Sequence, residues 1–121
     1  MNVNIFLYDD FETLDAFAPV SVFGQRPDYF HINYVSMYGD IVNSSQGVKV
    51  WTEAASEVLL KDILVIPGGR GAKRLITHDE ILTGFLKKAA ESVNYCLMVG
   101  SGEMCIRDRP QAVSKDVIHK F

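Results

Sequence analysis

The stretch DILVIPGGRGAKRL, Asp62 to Leu75, decides the fold. Four apolar residues, Ile63 to Ile66, run without polar alternation and stop at Pro67-Gly68-Gly69. A strand wet on one face alternates polar and apolar residues, whereas a strand covered by helices on both faces does not. Two further runs, Val3 to Tyr8 and Tyr95 to Val99, share this signature. All three read as central parallel strands.

The segments between them supply the cover. In THDEILTGFLKKAAESV, the residues Ile81, Leu82, Phe85, Leu86, Ala89, Ala90 and Val93 recur near a period of 3.6 and predict one buried stripe. Thr77 and Glu80 have the spacing of a capping box and predict that the helix starts there, with His78 in its first turn. An earlier helix is expected within Leu14 to Phe23. Its Pro19 belongs in a first turn or marks a kink. From His31 to Trp51 the signals turn to strand: HINYVSMYG and GVKVW flank the turn residues Ser44 to Gly47. Alternating β and α units with one small antiparallel excursion predict an α/β fold of flavodoxin-like, doubly wound, mostly parallel type.

Composition narrows the function. At 121 residues the chain makes one compact domain, and 48% hydrophobic with 22% charged residues is ordinary for a soluble protein. A net charge of −3 argues against a nucleic-acid face, so Arg70, Lys73 and Arg74 read as a solvated loop or helix face. No apolar run approaches the roughly 20 residues of a membrane helix, and the N-terminal sequence MNVNIFLYDD has no signal-peptide pattern. Two cysteines form neither a disulfide framework nor a zinc spacing, which suits a reducing, cytoplasmic setting without a metal. The expected partner is a small-molecule ligand, with no nucleic acid and no membrane.

In doubly wound sheets the site lies beyond the carboxyl ends of the strands. Three loops leave those ends: YDDFETLD, PGGRG and VGSG. Gly68 and Gly69 strip side chains from one strand end, so backbone amides can approach a developing oxyanion; the plainer reading is a tight turn. Asp9, Asp10, Glu12 and Asp15 crowd another, each a candidate acid or base, although solvated aspartates and a helix cap explain most of them. Asp15 is the exception, because it sits between Leu14 and Ala16-Phe17. The third loop, Gly100-Ser101-Gly102, follows its strand as a nucleophile would, but Val99 and Glu103 replace the glycines of a Gly-x-Ser-x-Gly elbow. Cys96 lies too early in its strand and is expected to be buried and inert.

IFLYDDFETLDAFAPVSVFG, GDIVNSSQGVKVWTE and DILVIPGGRGAKRL, in that order, resemble the ThiJ/PfpI superfamily of class I glutamine amidotransferase-like domains. The resemblance runs from Met1 to about Gly102 and is nearest to the isonitrile-hydratase-like branch. In that branch the elbow reads Val-Cys-Thr-Gly, with the cysteine as nucleophile and the leucine–aspartate carboxylate assisting. The resemblance therefore implies catalytic positions Asp15, Gly100 and Ser101, oxyanion or ligand contacts from Gly68, Gly69 and Ser101, no metal or organic cofactor, and a homodimer. Val99, Ser101 and Gly102 fit the pattern, but Gly100 occupies the cysteine's place. Small-molecule hydration or hydrolysis is then expected to be weak or lost. The alternative is a non-catalytic ligand-sensing domain of the kind fused to helix-turn-helix regulators.

Beyond the elbow the pattern breaks. The family continues into a small apolar helix, whereas this chain reads EMCIRDRP, Glu103 to Pro110. Buried there unpaired, those charges would be very costly. EMCIRDR is also what a transposase end sequence used in sequencing libraries translates to. Residues 1–102 are accordingly read as the N-terminal part of a ThiJ/PfpI-type domain, incomplete in its sheet, and 103–121 as an artefactual or out-of-context tail.

Overall fold

The computed structural model describes residues 1–55 and 60–100, with side chains 75–78 excepted. Its elements in chain order are β1 (Asn2–Phe6), α1 (Thr13–Phe23), β2 (His31–Ser36), β3 (Asp40–Asn43), β4 (Lys49–Ala54), β5 (Ile63–Ile66), α2 (Arg70–His78), α3 (Glu80–Ser92) and β6 (Tyr95–Met98). Six strands form one sheet in the order β3-β4-β2-β1-β5-β6. Every pairing is parallel except the β3–β4 hairpin. This is the flavodoxin-like arrangement that the uninterrupted apolar runs predict.

Register shows that helices cover both faces. Phe6 pairs with Val35 across β1 and β2, so their side chains share a face and Tyr34 points to the other. Phe6 meets Phe85 of α3, with ring centroids 6.0 Å apart, while Tyr34 meets Phe17 of α1 at 6.1 Å. β1 and β5 therefore lie buried between two layers, with Ile5, Phe6, Leu64, Val65 and Ile66 wholly enclosed. Asn4 is buried among them, yet its amide donates to the carbonyls of Lys61 (3.0 Å) and Ile63 (3.2 Å) and its oxygen accepts from Asn33 (3.1 Å). A buried amide partnered in this way carries no desolvation penalty of the unpaired kind.

Several local expectations need correction. The helix does not start at Thr77: α2 runs through Thr77 and His78, and α3 is capped by Asp79, whose carboxylate accepts from the Leu82 N–H at 2.9 Å. Aspartate is as good a cap as threonine, and the chain breaks between two helices where one was expected. His78 thus ends α2 and does not open α3. Ile81 leaves the predicted stripe for solvent, while Leu82, Leu86, Ala89 and Ala90 keep it. Pro19 lies in the interior of α1, where its missing N–H leaves the Asp15 carbonyl without its usual intrahelical donor. Tyr95 to Met98 pairs only with β5, so β6 is an end strand among the described residues and not a central one.

Candidate functional site

Three loops meet at the carboxyl end of the sheet, as their positions after parallel strands require. The loop after β1 is clamped on both sides. Phe11 bridges Ser44 beyond β3 and Gly69 beyond β5. The Asp10 N–H donates to the Asn43 carbonyl (2.9 Å), the Glu12 N–H to the Gly68 carbonyl (2.8 Å), and the Gly71 N–H to the Asp10 carbonyl (3.2 Å). Asp10 is not simply solvated. It adopts a positive φ of 66° and its carboxylate pairs with Arg74 of α2 at 2.8 Å. Arg70 likewise reaches back from α2, donating to the Ser45 carbonyl at 3.2 Å. The basic cluster read as a solvated face thus partly ties α2 to neighbouring loops.

The start of α1 is fixed from across the sheet. Glu12 holds the cap position without capping through its own side chain. The Thr13 N–H instead donates to the Gln46 side-chain oxygen at 3.2 Å, and the Thr13 hydroxyl bonds the Ser44 hydroxyl and Gln46, each at 2.7 Å. The turn at Ser44 to Gly47 therefore supplies a cap that α1 lacks. No spacing in the sequence marks this, because the partners lie more than thirty residues apart.

That anchoring aims Asp15, in the first turn of α1, at the end of β6. A side chain built on Gly100 would place its Cβ against Asp15 Oδ2, with Cγ at 3.3 Å. Gly100, two residues beyond β6, has a φ of +60°, in the left-handed region that favours glycine. Asp15 also takes a hydrogen bond from the Gly68 backbone. Glu12, Asp15, Ser45, Gln46, Gly69 and Arg70 line a cavity of about 300 Å³ beside Asp15; Gly100 is not in its lining. A roomier cleft of about 470 Å³, lined by Phe6, Tyr8, Asp9, Ile41, Arg74 and Leu82, lies elsewhere on the molecule.

Of the residues singled out from the sequence, Asp15, Gly68, Gly69 and Gly100 thus gather at one place. Ser101, Gly102 and the charged run that follows lie outside the described residues. Gly68 spends its amide on Asp15. Gly69 has a φ of +142°, which side chains rarely adopt, and a Cβ there would lie 2.5 Å from the Asp10 carbonyl oxygen and 2.6 Å from the Glu12 nitrogen. The tight-turn reading of this glycine pair therefore has direct support.

Burial raises the pKa of Asp15 above the ordinary carboxylate value of 3.8; the Gly68 hydrogen bond opposes this and the nearby Glu12 charge adds to it. The fold thus disfavours the charged form. Stability that is fully present below about pH 3.8 is lost as pH rises through the raised folded-state value. Asp15→Asn is accordingly expected to stabilise the protein more at pH 7 than at pH 3, measured as the shift in urea midpoint. A larger gain at pH 3 would reverse the sign and overturn this account.

Cys96 is 1% exposed within β6, and desolvation pushes its thiol up to about 12. A thiol with almost no thiolate at neutral pH is a poor nucleophile. Iodoacetamide is expected to leave Cys96 unmodified in the native chain and to label it fully in denaturant, as mapped by peptide mass.

A strand-end glycine turn against a carboxylate, on a sheet of this order, invites comparison with known proteins. The family model for DJ-1/PfpI matches residues 1–109. The chain belongs to the DJ-1/PfpI family. Solved members share the fold. A ThiJ/PfpI family protein from Pseudomonas syringae superposes with a TM-score of 0.76 at 22% identity, over 86% of this chain and 43% of its own. A ThiJ/PfpI domain protein from Brachyspira murdochii gives 0.70 at 20%, over 86% and 61%. DJ-1 of Schizosaccharomyces pombe gives 0.68 at 21%, over 87% and 60%. The chain therefore spans about half the length of these DJ-1/PfpI proteins, and at such identities the likeness is one of fold. None of the curated proteins matches it. No helix among the described residues is long and apolar enough to cross a membrane.

Proposed function

We propose that this DJ-1/PfpI domain carries the elbow of a cysteine-dependent enzyme, of the isonitrile-hydratase-like kind, from which the thiol has been lost. The observation behind this reading is the Gly100 geometry: a left-handed turn directly after a buried parallel strand, with its side-chain position facing the Asp15 carboxylate. A positive φ is costly for any residue but glycine, and enzymes accept that cost where a nucleophile must stand clear of a strand. Here the glycine keeps the turn and has no group to attack with.

In this reading a thiolate at position 100 would add to an electrophilic carbon of a small molecule. Asp15, with its raised pKa, would hold or deliver the proton, and water would complete a net hydration. The Gly69 backbone and the hydroxyl of Ser101 would steady the developing negative charge, the Gly68 amide being engaged with Asp15. No metal or organic cofactor enters the reaction. The parent chain is inactive or weakly active, its setting is cytoplasmic, its partners are a small-molecule ligand and a second copy of itself, and residues 103–121 do not belong to the native domain.

A retained cavity without a nucleophile also suits the second reading, a ligand-sensing domain fused to a helix-turn-helix regulator. Reading the native coding sequence beyond Gly102 separates the two. A DNA-binding segment there supports the sensor, and the remaining half of a family domain alone supports the enzyme-derived one. The activity test is hydration of simple isonitriles by the intact protein and by its Gly100→Cys variant. Turnover by the parent equal to that of the variant would end the lost-thiol reading.

A further inference from the structure

We propose that the cleft between the ends of β1 and β2 and the α2–α3 junction is a second small-molecule site. Its ligand is an organic ammonium ion with an apolar or aromatic body, the charge held by Asp9 and the body laid against the ring of Tyr38. The cleft shares no lining residue with the cavity beside Asp15, and the inference does not depend on the chemistry at Gly100.

Size and walls suit such a ligand. At about 470 Å³ the cleft is the larger of the two cavities and falls within the range of sites for small organic molecules. Phe6 and Leu82 are buried and give it apolar walls. Tyr38 lies at its edge and is 80% exposed. The turn carrying that ring is fastened to the sheet. The Gly39 N–H donates to the Ser36 hydroxyl at 2.9 Å, and Ser36 bonds the buried Thr52 hydroxyl of β4 at 2.6 Å. Gly39 itself has a φ of +80°, where a Cβ would lie 3.0 Å from the Ala54 nitrogen. A well-held turn thus presents a large aromatic ring to water beside an apolar cleft. Tyrosine has few rotatable bonds to freeze, so little entropy is lost when a ligand covers it.

The charges decide the sign of the ligand. Asp9, Arg74 and Asp79 are the acidic and basic side chains in the lining. Arg74 is engaged with Asp10 at 2.8 Å, and the Asp79 carboxylate accepts from the Leu82 N–H at 2.9 Å. The Asp9 carboxylate is exposed and takes no hydrogen bond or ion pair among the described residues. An anion would have to compete with Asp10 for Arg74 and would face Asp9. A cation meets Asp9 directly, and the face of a tyrosine ring attracts it as well. The described residues hold no group of three or more metal-ligating side chains, and apolar walls offer a metal ion nothing. An ammonium ion with an apolar body uses both the charge and the walls.

Titration of the 121-residue chain with phenethylammonium, followed by calorimetry and by amide chemical shifts, tests the proposal. 3-Phenylpropionate offers a similar body with the opposite charge, and 2-phenylethanol offers it with none. The cation is expected to bind with a Kd below about 1 mM, the alcohol about tenfold more weakly and the carboxylate more weakly still. Shifts should gather at Asp9, Tyr38, Gly39 and Leu82. Asp9→Asn should reduce the cation to the affinity of the alcohol, and Tyr38→Ala should weaken it by about three- to fivefold. Both side chains are exposed, and thermal melts check that each variant is folded. The three-probe series on the unaltered chain reads the charge preference whether or not they are.

Equal affinity for the three probes would mean that the cleft recognises no charge. Tighter binding of the carboxylate would give the cleft to Arg74, and shifts centred on Asp15, Gln46 and Gly69 would put the amine in the other cavity. A folded Asp9→Asn variant that binds the cation as the parent does would remove Asp9 from the site. Any of these results, or no saturation by about 10 mM, overturns the proposal.

Discussion

Gly100→Cys is expected to convert a chain with little or no isonitrile hydration into one at least about a thousandfold more active, the scale on which enzymes lose activity when a nucleophile is removed. The thiol would emerge where the strand ends, its Cβ against the Asp15 carboxylate. That contact is with the far end of a side chain that can swing aside, so it need not prevent folding. The left-handed conformation at φ +60° will cost about 1–2 kcal/mol for any residue with a Cβ. Gly100→Ala separates the two effects. It should lose the same stability in urea titrations and gain no activity. Asp15→Asn placed beside the new cysteine should then lower turnover by about a hundredfold or more, the usual contribution of a positioned acid or base. If the cysteine variant binds substrate yet turns over no faster than Gly100→Ala, the elbow is not a vacated nucleophile site.

Gly69→Ala should produce a large loss of stability. The three atoms nearest its Cβ are all backbone: the Asp10 carbonyl oxygen at 2.5 Å, the Glu12 nitrogen at 2.6 Å and the Phe11 carbonyl carbon at 2.8 Å. Backbone atoms cannot rotate away as the Asp15 carboxylate can. The loop after β1 must move, and with it the Phe11 bridges to Ser44 and Gly69 that clamp it. Strain at positive φ together with overpacking places the cost at about 3 kcal/mol or more. Gly84, by contrast, has nothing within 4 Å of a Cβ, so Gly84→Ala in α3 should be neutral or stabilising by about 1 kcal/mol through helix propensity. Chemical denaturation of the two variants reads the contrast directly. Equal effects would mean that the loops do not pack as described.

The difference between these glycines was not legible in the sequence. Pro67-Gly68-Gly69 announces a turn, but which glycine is pressed by neighbouring backbone depends on a loop nearly sixty residues earlier in the chain. The Thr77 cap failed for a related reason. A Ser/Thr-x-x-Glu spacing is a local signal, and Asp79, two residues on, offered an equally good local solution at a chain break that no spacing marks. Ile81 fits the helical period, yet it lies in the first turn of α3, where it is exposed to solvent. The hairpin face held by Trp51 and Ile41 was hidden as well. Alternation predicts that one face of a hairpin is wet, and only the register reveals which large apolar residues lie on it.

Three uninterrupted apolar runs were enough, by themselves, to specify a sheet covered on both sides, because such strands are stable only where no face meets water. Glycine at the strand ends and aspartate within an apolar helix start could likewise be picked out, since each is a local anomaly. Their meeting was decided by tertiary structure. Parallel pairing delivers the ends of β1, β5 and β6 to one edge, and Gln46 from a distant turn fixes where α1 begins, so that Asp15 faces Gly100. Distances between loops depend on the register and handedness of everything between them, and no short window of sequence contains that information.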